Sequence, residues 1–286
     1  MSLLTTLVEI AIGGIASGLL MALLGAGITL VFGLGEVLNL AQGIFGVIAA
    51  IFALQLLNRG MPVPAALVLA ILGIALVALI VDRGLLSSVY RSEGEQRIMI
   101  GIFVTLGLTL ALEGILFQVY AYRFSLPINL PTIREFGLTI LGSSVMNIVV
   151  ASLILAGLFL FLQRTYLGKA TRTITQDEVG AQLTGVDTRR MRTLIFVLSA
   201  GLAGAAGILH AIGTNLSAAS GFELTVQALI VSIVGGVRDV RGTVLAGIGL
   251  GLVLAFSNYF IGTYVSLIAM FAAATIALLA RQEDIA

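Results

Sequence analysis

Nine apolar stretches follow one another along this chain and restrict its fold more than any other feature of the sequence. Each is close to the roughly 20 residues that a helix needs to cross a bilayer. Of the 286 residues, 59% are hydrophobic and 10% are charged, whereas soluble domains are about 25% charged. The bilayer must therefore be the solvent of this fold. The stretches cover 11–33, 40–57, 62–81, 98–119, 138–162, 193–213, 222–237, 243–261 and 264–280.

This hydropathy pattern predicts an all-α integral membrane protein, a polytopic bundle of eight or nine transmembrane or partly spanning helices. We expect residues 1–286 to form a single transmembrane domain in contact with membrane lipid. The short stretch 222–237 would either cross at a tilt or form one arm of a re-entrant hairpin buried in protein, and 264–280 is of marginal length. The opening MSLLTTLVEI has no basic residue before its apolar run, so no cleaved signal peptide is predicted.

The distribution of lysine and arginine predicts the orientation, because basic residues are enriched in cytoplasmic loops. If nine segments cross and the N-terminus lies outside, twelve of the 15 basic residues lie inside, and only Arg59, Arg123 and Arg134 lie outside. We therefore expect a multi-pass protein of the cytoplasmic membrane with its N-terminus outside and its C-terminus inside. The run YRFSLPINLPTIREFG (122–137) is then an external loop.

The longest predicted inside segment, about 164–192, is unusually polar and carries nine of the 29 charged residues. The spacing of Thr175 and Glu178 predicts a capping box that starts a helix of two to three turns. Gly185 is placed to end that helix, and Asp187 to cap the next one. We call residues 164–192 the coupling segment, because it is the candidate contact with a cytoplasmic partner.

Two interpretations of the coupling segment remain open. Val179, Leu183 and Val186 share one helix face, which suits either the membrane surface or a protein. Surface helices usually present lysine and arginine on the polar face, whereas this helix carries acidic and amide residues, so a protein partner is favoured. The candidate coupling residues are Asp177, Glu178, Ala181, Gln182, Gly185 and Val186.

The sequence offers no catalytic or cofactor site. It has no cysteine and one histidine, which excludes thiolate and multi-histidine metal sites. The only Gly-Lys pair, Gly168-Lys169, is followed by Ala170 and does not complete a P-loop. We predict no enzyme activity and no cofactor, so any ATP hydrolysis would belong to another subunit.

Polar residues inside the spans are the candidates for a translocation path, because each is costly in hydrocarbon. The candidates for lining this path are Asn39, Gln42, Glu113 and Gln227. Each could instead serve only to hydrogen-bond one helix to another. Glu113 could also carry a proton. His210 fits a satisfied or interfacial imidazole. The pairs Gly14/Gly18 and Gly247/Gly251 permit close helix packing, within the subunit or with a second one.

Three motifs in order resemble branched-chain amino-acid ABC transporter permeases of the LivH type. GLLMALLGAGITLVFGLGEVLNLAQG (18–43) is similar to the opening of that family, with Gln42 where histidine is common. AQLTGVDTRRMRTLIFVLSAGLAGAAGIL (181–209) resembles its coupling loop and following helix. ALIVSIVGGVRDVRGTVLAGIGLG (228–251) resembles its glycine-rich segment, with Arg238 and Asp239 in place of the usual Gly-Ser.

The resemblance implies an importer permease paired with a second, related permease, two ATP-binding cassette ATPase subunits and an extracytoplasmic substrate-binding protein. The coupling segment would lie in a groove of the ATPase. Branched-chain amino acids are the implied cargo, while relatives take urea, short amides or other amino acids. A self-contained secondary transporter or channel using Glu113 is the competing function.

Overall fold

The structure, a computed structural model, describes residues 3–92, 94–120, 122–135 and 138–283, without the side chains of Glu135 and 280–283. The first helices are α1 (Leu3–Gly35), α2 (Gln42–Asn58), α3 (Val63–Val81), α4 (Gly94–Val119), α5 (Gly142–Arg164) and α6 (Tyr166–Gln176). They are followed by α7 (Glu178–Leu183), α8 (Thr188–Gly213), α9 (Ser220–Gly235), α10 (Val240–Phe260) and α11 (Thr263–Glu283). A π-helical turn at Asp82–Leu86 and a turn at Ser87–Val89 extend α3.

Nine of these helices correspond to the nine apolar stretches, which confirms the predicted all-α polytopic fold. Within the described residues, six helices are long and apolar enough to cross a membrane, namely α3 with its extension and α1, α4, α5, α8 and α10. The remaining three apolar helices, α2, α9 and α11, are shorter. The stretch 222–237, predicted to be short, is α9.

Two helices form the centre of the bundle and the others surround them. In the most apolar window of α1, 83% of the residues are buried, and in α8 72%, compared with 17% in α4 and 22% in α3. The outward faces of the peripheral helices carry aliphatic side chains such as Leu72, Leu110 and Leu153. This distribution suits a bundle whose outer surface meets hydrocarbon.

Glycine brings α1 and α10 into backbone contact. A Cβ atom added to Gly18 would lie 2.6 Å from the carbonyl oxygen of Gly247, and one added to Gly251 would collide with Gly14 and Gly18. Without a hydrophobic driving force between helices in lipid, such close approach supplies the dispersion contacts that hold them together. The two glycine pairs therefore pack against each other within this chain.

The α4–α5 connection covers the end of the bundle opposite to the coupling segment. Ile133–Glu135 (β1) pairs antiparallel with Leu138–Ile140 (β2), and Phe124 forms a backbone bridge with Leu216, just after α8. The sequence placed a span at 138–162, but residues 138–140 form β2 and the helix begins at Gly142. Hydropathy alone does not separate an apolar strand from the helix that follows it.

Candidate functional site

The coupling segment contains two helices, where the sequence predicted one. Thr175 lies inside α6, and its hydroxyl donates to the carbonyl of Thr171 at 2.9 Å. The residue that caps α7 is Asp177, which has an extended backbone and accepts from the amide of Gly180 at 3.0 Å. The predicted capping box is therefore wrong. Aspartate is a somewhat stronger N-cap than threonine, and the carboxylate of Glu178 is held elsewhere.

The end of α7 and the start of α8 agree with the sequence prediction. Gly185 has a φ of +86°, and the amides of Gly185 and Val186 donate to the carbonyls of Gln182 and Ala181. These two bonds form a Schellman motif, which needs the left-handed conformation that glycine adopts without strain. Asp187 then caps α8 by accepting from the amide of Arg190 at 3.0 Å.

Glu178 connects α7 to the membrane-spanning helices. Arg192 of α8 donates to both of its carboxylate oxygens, at 2.6 and 2.7 Å. Arg97 of α4 lies 3.8 Å from the same carboxylate. The side chains of Arg192 and Arg97 are only 7% and 11% exposed, whereas that of Glu178 is 34% exposed, so the two guanidinium groups are buried and the carboxylate is partly in contact with water. Charge-assisted bonds of this kind are among the strong ones in proteins, so α7 is firmly attached to α8.

The cluster extends to the end of α3 through Tyr90. The guanidinium of Arg192 lies 5.2 Å from the centre of the Tyr90 ring, in cation–π geometry. Burial, followed by the charge of Asp82, raises the pKa of Tyr90 above its usual range, so the ring remains a neutral phenol. Asp82 in turn accepts from the hydroxyl of Thr193 at 2.6 Å. These contacts connect α7 to α3, α4 and α8.

The opposite face of α7 is exposed within the part of the chain that the structure describes. Val179 and Leu183 are 67% and 84% exposed, although both are apolar. Asp177 and Gln182 flank them on the surface. The outward face of this six-residue helix is therefore apolar and exposed.

The other predicted coupling residues have distinct positions. Ala181 is fully buried in the core and contributes packing rather than free surface. Gln182 donates to both Glu178 and Thr188 at 3.3 Å. Val186 is half-buried. The structure thus divides the predicted set into an outward-facing group and an inward-facing group.

Asn39 and Gln42 lie together in a buried polar network at the start of α2. The side-chain amide of Asn39 donates to the carbonyl oxygen of Gln42 at 3.2 Å. Gln42 donates to the backbone carbonyl of Ser199 at 3.1 Å and accepts from its hydroxyl at 2.9 Å. Gln42 is fully buried, so in this conformation its side chain joins helices and does not line an open channel.

The segment that precedes this network turns back into the bundle. We call residues 36–41 the inner connection. Thr105 and Thr109 of α4 donate to the carbonyls of Leu38 and Leu40, and the amide of Leu40 donates to Thr105 at 3.1 Å. These side chains bond backbone groups that no helix ladder satisfies, as irregular backbone within a membrane bundle requires.

The depth of α2 follows from its contacts. A Cβ atom on Gly27 would lie 2.8 Å from the Ser199 hydroxyl and would collide with Gln42. Gly27 lies eight residues before the end of α1, a distance of about 12 Å along a helix. Therefore α2 begins well inside the bundle and spans only part of it, although the sequence treated 40–57 as a complete crossing.

Glu113 and Gln227 are placed on neighbouring helices, α4 and α9, and are not joined to the Asn39–Gln42 network. Glu113 is half-buried and receives no hydrogen bond from the part of the chain that the structure describes. Gln227 is buried and donates to Glu223 at 3.3 Å, and Glu223 is itself exposed. The helices α4 and α9 touch, and each carries one carboxylate that is at least partly exposed.

Sequence reasoning missed Arg97, Arg192 and Tyr90 as members of the site. One signal was available for Arg192, because it shares a helical register with Ile195 and Ser199, which face the core. A basic residue on that face must find a partner when it is buried. The identity of that partner, fourteen residues earlier, has no signature in the sequence.

The structure shows what Arg238 and Asp239 do in the glycine-rich segment 228–251. Asp239 begins α10 by accepting from the amide of Arg241 at 2.9 Å, and Arg238 pairs with Glu36 at 3.1 Å. The two residues that depart from the family pattern therefore cap a helix and attach the α9–α10 turn to the end of α1.

A bundle of membrane-spanning helices with a helix exposed for a partner defines a transport permease of the kind that an external ATPase drives. The chain belongs to the family described as branched-chain amino acid transport system / permease component, which matches residues 10–280. It is a permease subunit of an ABC importer, a class that works with ATPase and binding-protein partners.

Relatives that align with this chain over most of their length are branched-chain amino acid transport permeases. The chain is 30% identical over 261 residues to the probable branched-chain amino acid transport permease protein LivH of Methanocaldococcus jannaschii, covering 88% of this chain and 81% of that protein. It is 26% identical to the high-affinity permease protein BraD of Pseudomonas aeruginosa, covering 86% and 84%. It is 24% identical to LivH of Escherichia coli K12, covering 95% and 92%.

A solved structure shares the fold. A chain of "PsaBC from Streptococcus pneumoniae in complex with Fab" superimposes with a TM-score of 0.50 at 11% identity, covering 93% of this chain and 89% of that chain. This likeness concerns the fold alone.

Proposed function

We propose that this chain translocates branched-chain or closely related amino acids across the cytoplasmic membrane. It acts beside a second, related permease, with two ATPase subunits and an extracytoplasmic binding protein. The names of relatives that align over more than four fifths of the chain support this cargo. The observation that carries the coupling mechanism is the pairing of an exposed apolar face on α7 with a buried ion-pair cluster behind it.

In this mechanism the ATPase contacts Val179 and Leu183, with Asp177 and Gln182 at the rim. Closure of the ATPase pair displaces α7. Because Glu178 holds Arg192 and Arg97, the displacement pulls α8 and α4 with it and shifts the spans between outward-open and inward-open states. Gly185 and Val186 fix the angle between α7 and α8, so that motion of one is not lost in the turn.

The second permease is supported by the carboxylates on α4 and α9. A charged group on the surface of a spanning helix is costly in lipid, so Glu113 and Glu223 require cover by protein or water. We infer that this face meets the partner permease and borders the path, with Gln227 beside it. The two carboxylates would attract the ammonium group of a zwitterionic cargo, whereas urea and simple amides carry no such charge.

The orientation follows from the basic residues. The coupling segment, which itself contains Arg189 and Arg190, lies at the same end of the bundle as Arg83 and Arg91. The positive-inside rule assigns that end to the cytoplasm. The N-terminus is then outside, and the coupling segment and the C-terminus are inside.

A charge placed on the outward face of α7 tests the coupling mechanism. We expect Leu183→Asp to abolish ATP-driven uptake of leucine in vesicles that contain the complete transporter, because it places a carboxylate in a desolvated interface. Thr173→Asp, on the exposed surface of α6, is the matched control and retains uptake. Co-purification of the ATPase subunits should be lost with the first variant only.

The same vesicles distinguish the competing functions. Leucine uptake by this chain alone, lost on Glu113→Gln, would contradict the importer mechanism and favour a secondary transporter. Uptake of urea or a short amide by the complete transporter, without competition by leucine, would preserve the mechanism and contradict the cargo.

A further inference from the structure

A groove of about 810 Å³ opens between α3 and α8 at the end of the bundle that carries the coupling segment. Its walls change in character along its length. Leu76 and Leu79 of α3 face Leu194 and Val197 of α8 in the part that lies within the spans. The other part, at the helix ends, is lined by arginines.

The charge at that end is predominantly positive. The groove and an adjoining smaller pocket are lined by five arginines and two aspartates, namely Arg83, Arg91, Arg189, Arg190, Arg192, Asp82 and Asp187. Arg190 is paired with Asp187 at 2.9 Å, and Arg192 with Glu178. Arg83 and Arg189 are exposed and form no salt bridge within the part of the chain that the structure describes, and together they carry one more charge than Asp82, the carboxylate near which both lie.

The distance between the two parts suits an amphiphile. Arg83 lies four residues beyond Leu79 and seven beyond Leu76, or about 6 and 10 Å along a helix. A phosphate held between Arg83 and Arg189 would therefore place the first carbons of an acyl chain against the leucines. Because arginine binds phosphate through paired N–H groups, we propose that this groove is a binding site for an anionic phospholipid.

A protein occupant is less well supported by the surrounding surface. The outward face of α3 beside the groove is aliphatic, with Leu69, Leu72 and Ile80 exposed, as expected of a helix in contact with hydrocarbon. The carboxylates that demand cover by protein or water lie on α4 and α9 instead. The lipid site and the face assigned to the second permease are thus on different helices.

A bound phospholipid would act on the coupling cluster directly. Tyr90 and Arg189 line both the groove and the adjoining pocket, and Arg192 lines the latter. A phosphate at Arg189 therefore sits beside the residues that connect α7 to α3 and α8. Anionic lipid would stabilise the start of α8 in the arrangement that holds Glu178.

Native mass spectrometry of the purified transporter tests the site. The protein is delipidated and exposed to equal amounts of phosphatidylglycerol and phosphatidylcholine, and we expect selective retention of phosphatidylglycerol. The double substitution Arg83→Gln with Arg189→Gln should weaken that retention by about tenfold to thirtyfold. Leu76→Trp, which fills the apolar part and keeps both arginines, should weaken it as well.

Two control variants separate this site from general lipid contact. Arg59→Gln removes an arginine at the opposite end of the bundle, and Leu72→Trp enlarges an exposed residue one turn from the groove. Both should retain phosphatidylglycerol as the unmodified protein does. Equal retention of the two lipids, or unchanged retention in the double variant, would overturn the proposal. Loss of the bound lipid whenever the second permease is present would overturn it too, because protein would then fill the groove.

Discussion

The inner connection and the coupling segment are both polar interruptions in an apolar chain, and they differ in which of their side chains face the bundle and which are exposed. In the inner connection, backbone carbonyls and amides bond to Thr105, Thr109 and neighbouring side chains inside the bundle. In the coupling segment, the charges of Glu178 and Arg192 turn inward while Val179 and Leu183 remain exposed. The first interruption is bonded within one chain, and the second leaves an apolar face exposed.

This difference indicates which residues are candidates for function. A buried polar group whose bonds are all made within the bundle, such as Gln42, is accounted for by packing. Packing within the chain does not account for an exposed apolar side chain that lies next to an ion pair with buried guanidinium groups. An exposed apolar surface and a buried charge are each unfavourable alone. Variants in the two regions test this difference, and they are given in order of decreasing expected effect.

The largest effect is expected from adding a side chain beside the inner connection. Gly43→Val would force a Cβ atom to within 2.7 Å of the Thr225 backbone nitrogen and into collision with the Gly221 carbonyl. We expect more than about 3 kcal/mol of destabilisation, seen as loss of monodisperse protein by size-exclusion chromatography. Gly157→Val, whose added side chain meets no atom within 4 Å, is the control. Normal yield of both variants would show that α2 and α9 are not packed as described.

A smaller effect is expected at the charge cluster. Glu178→Gln leaves Arg192 without its counter-charge, which costs about 1.5–3 kcal/mol. Uptake should fall several-fold while ATP hydrolysis continues, because the ATPase contact on Val179 and Leu183 is intact. Asp177→Asn keeps the helix cap and should leave the ratio of uptake to hydrolysis unchanged. An equal effect of both variants would place Glu178 in the ATPase interface instead.

A hydroxyl deletion compares the two regions with one chemistry. Thr105→Val removes the partner of Leu38 and Leu40 in the inner connection and should lower the free energy of unfolding by about 1–2 kcal/mol. Thr173→Val removes an exposed hydroxyl that bonds only within α6 and should have little effect. Thermal unfolding of the two proteins measures the difference. Identical midpoints would mean that water satisfies the inner connection.

The smallest effect is expected at the end of α7. Gly185→Ala places a β-carbon on a residue with a φ of +86°, at a cost of about 1 kcal/mol. The turn to α8 should loosen and uptake should decrease modestly. Gly185→Asn tolerates the left-handed conformation better and should lie between alanine and the unmodified protein. The reverse order would show that side-chain bulk in the partner interface matters more than backbone conformation.

The number of apolar helices, the all-α fold and the position of the polar segment between α5 and α8 could all be predicted from the sequence. The sequence also placed Gly185 at a helix end and Asp187 at a cap, because hydropathy and capping depend on residues close together along the chain. The start of α7 was missed, since Thr175 and Asp177 compete for the same role and the choice depends on where Glu178 is held.

The pairing of polar groups in hydrogen bonds and ion pairs depends on the tertiary structure. The partners of Glu178, Asp82 and Gln42 lie 14, 111 and 157 residues away, and nothing local encodes those distances. The position at which α2 begins depends in the same way on distant segments, because Thr105 and Thr109 of α4 bond the inner connection and Thr225 of α9 accepts from the amide of Gly43. In lipid, helix position is set by close packing and hydrogen bonding between distant segments, and hydropathy records neither.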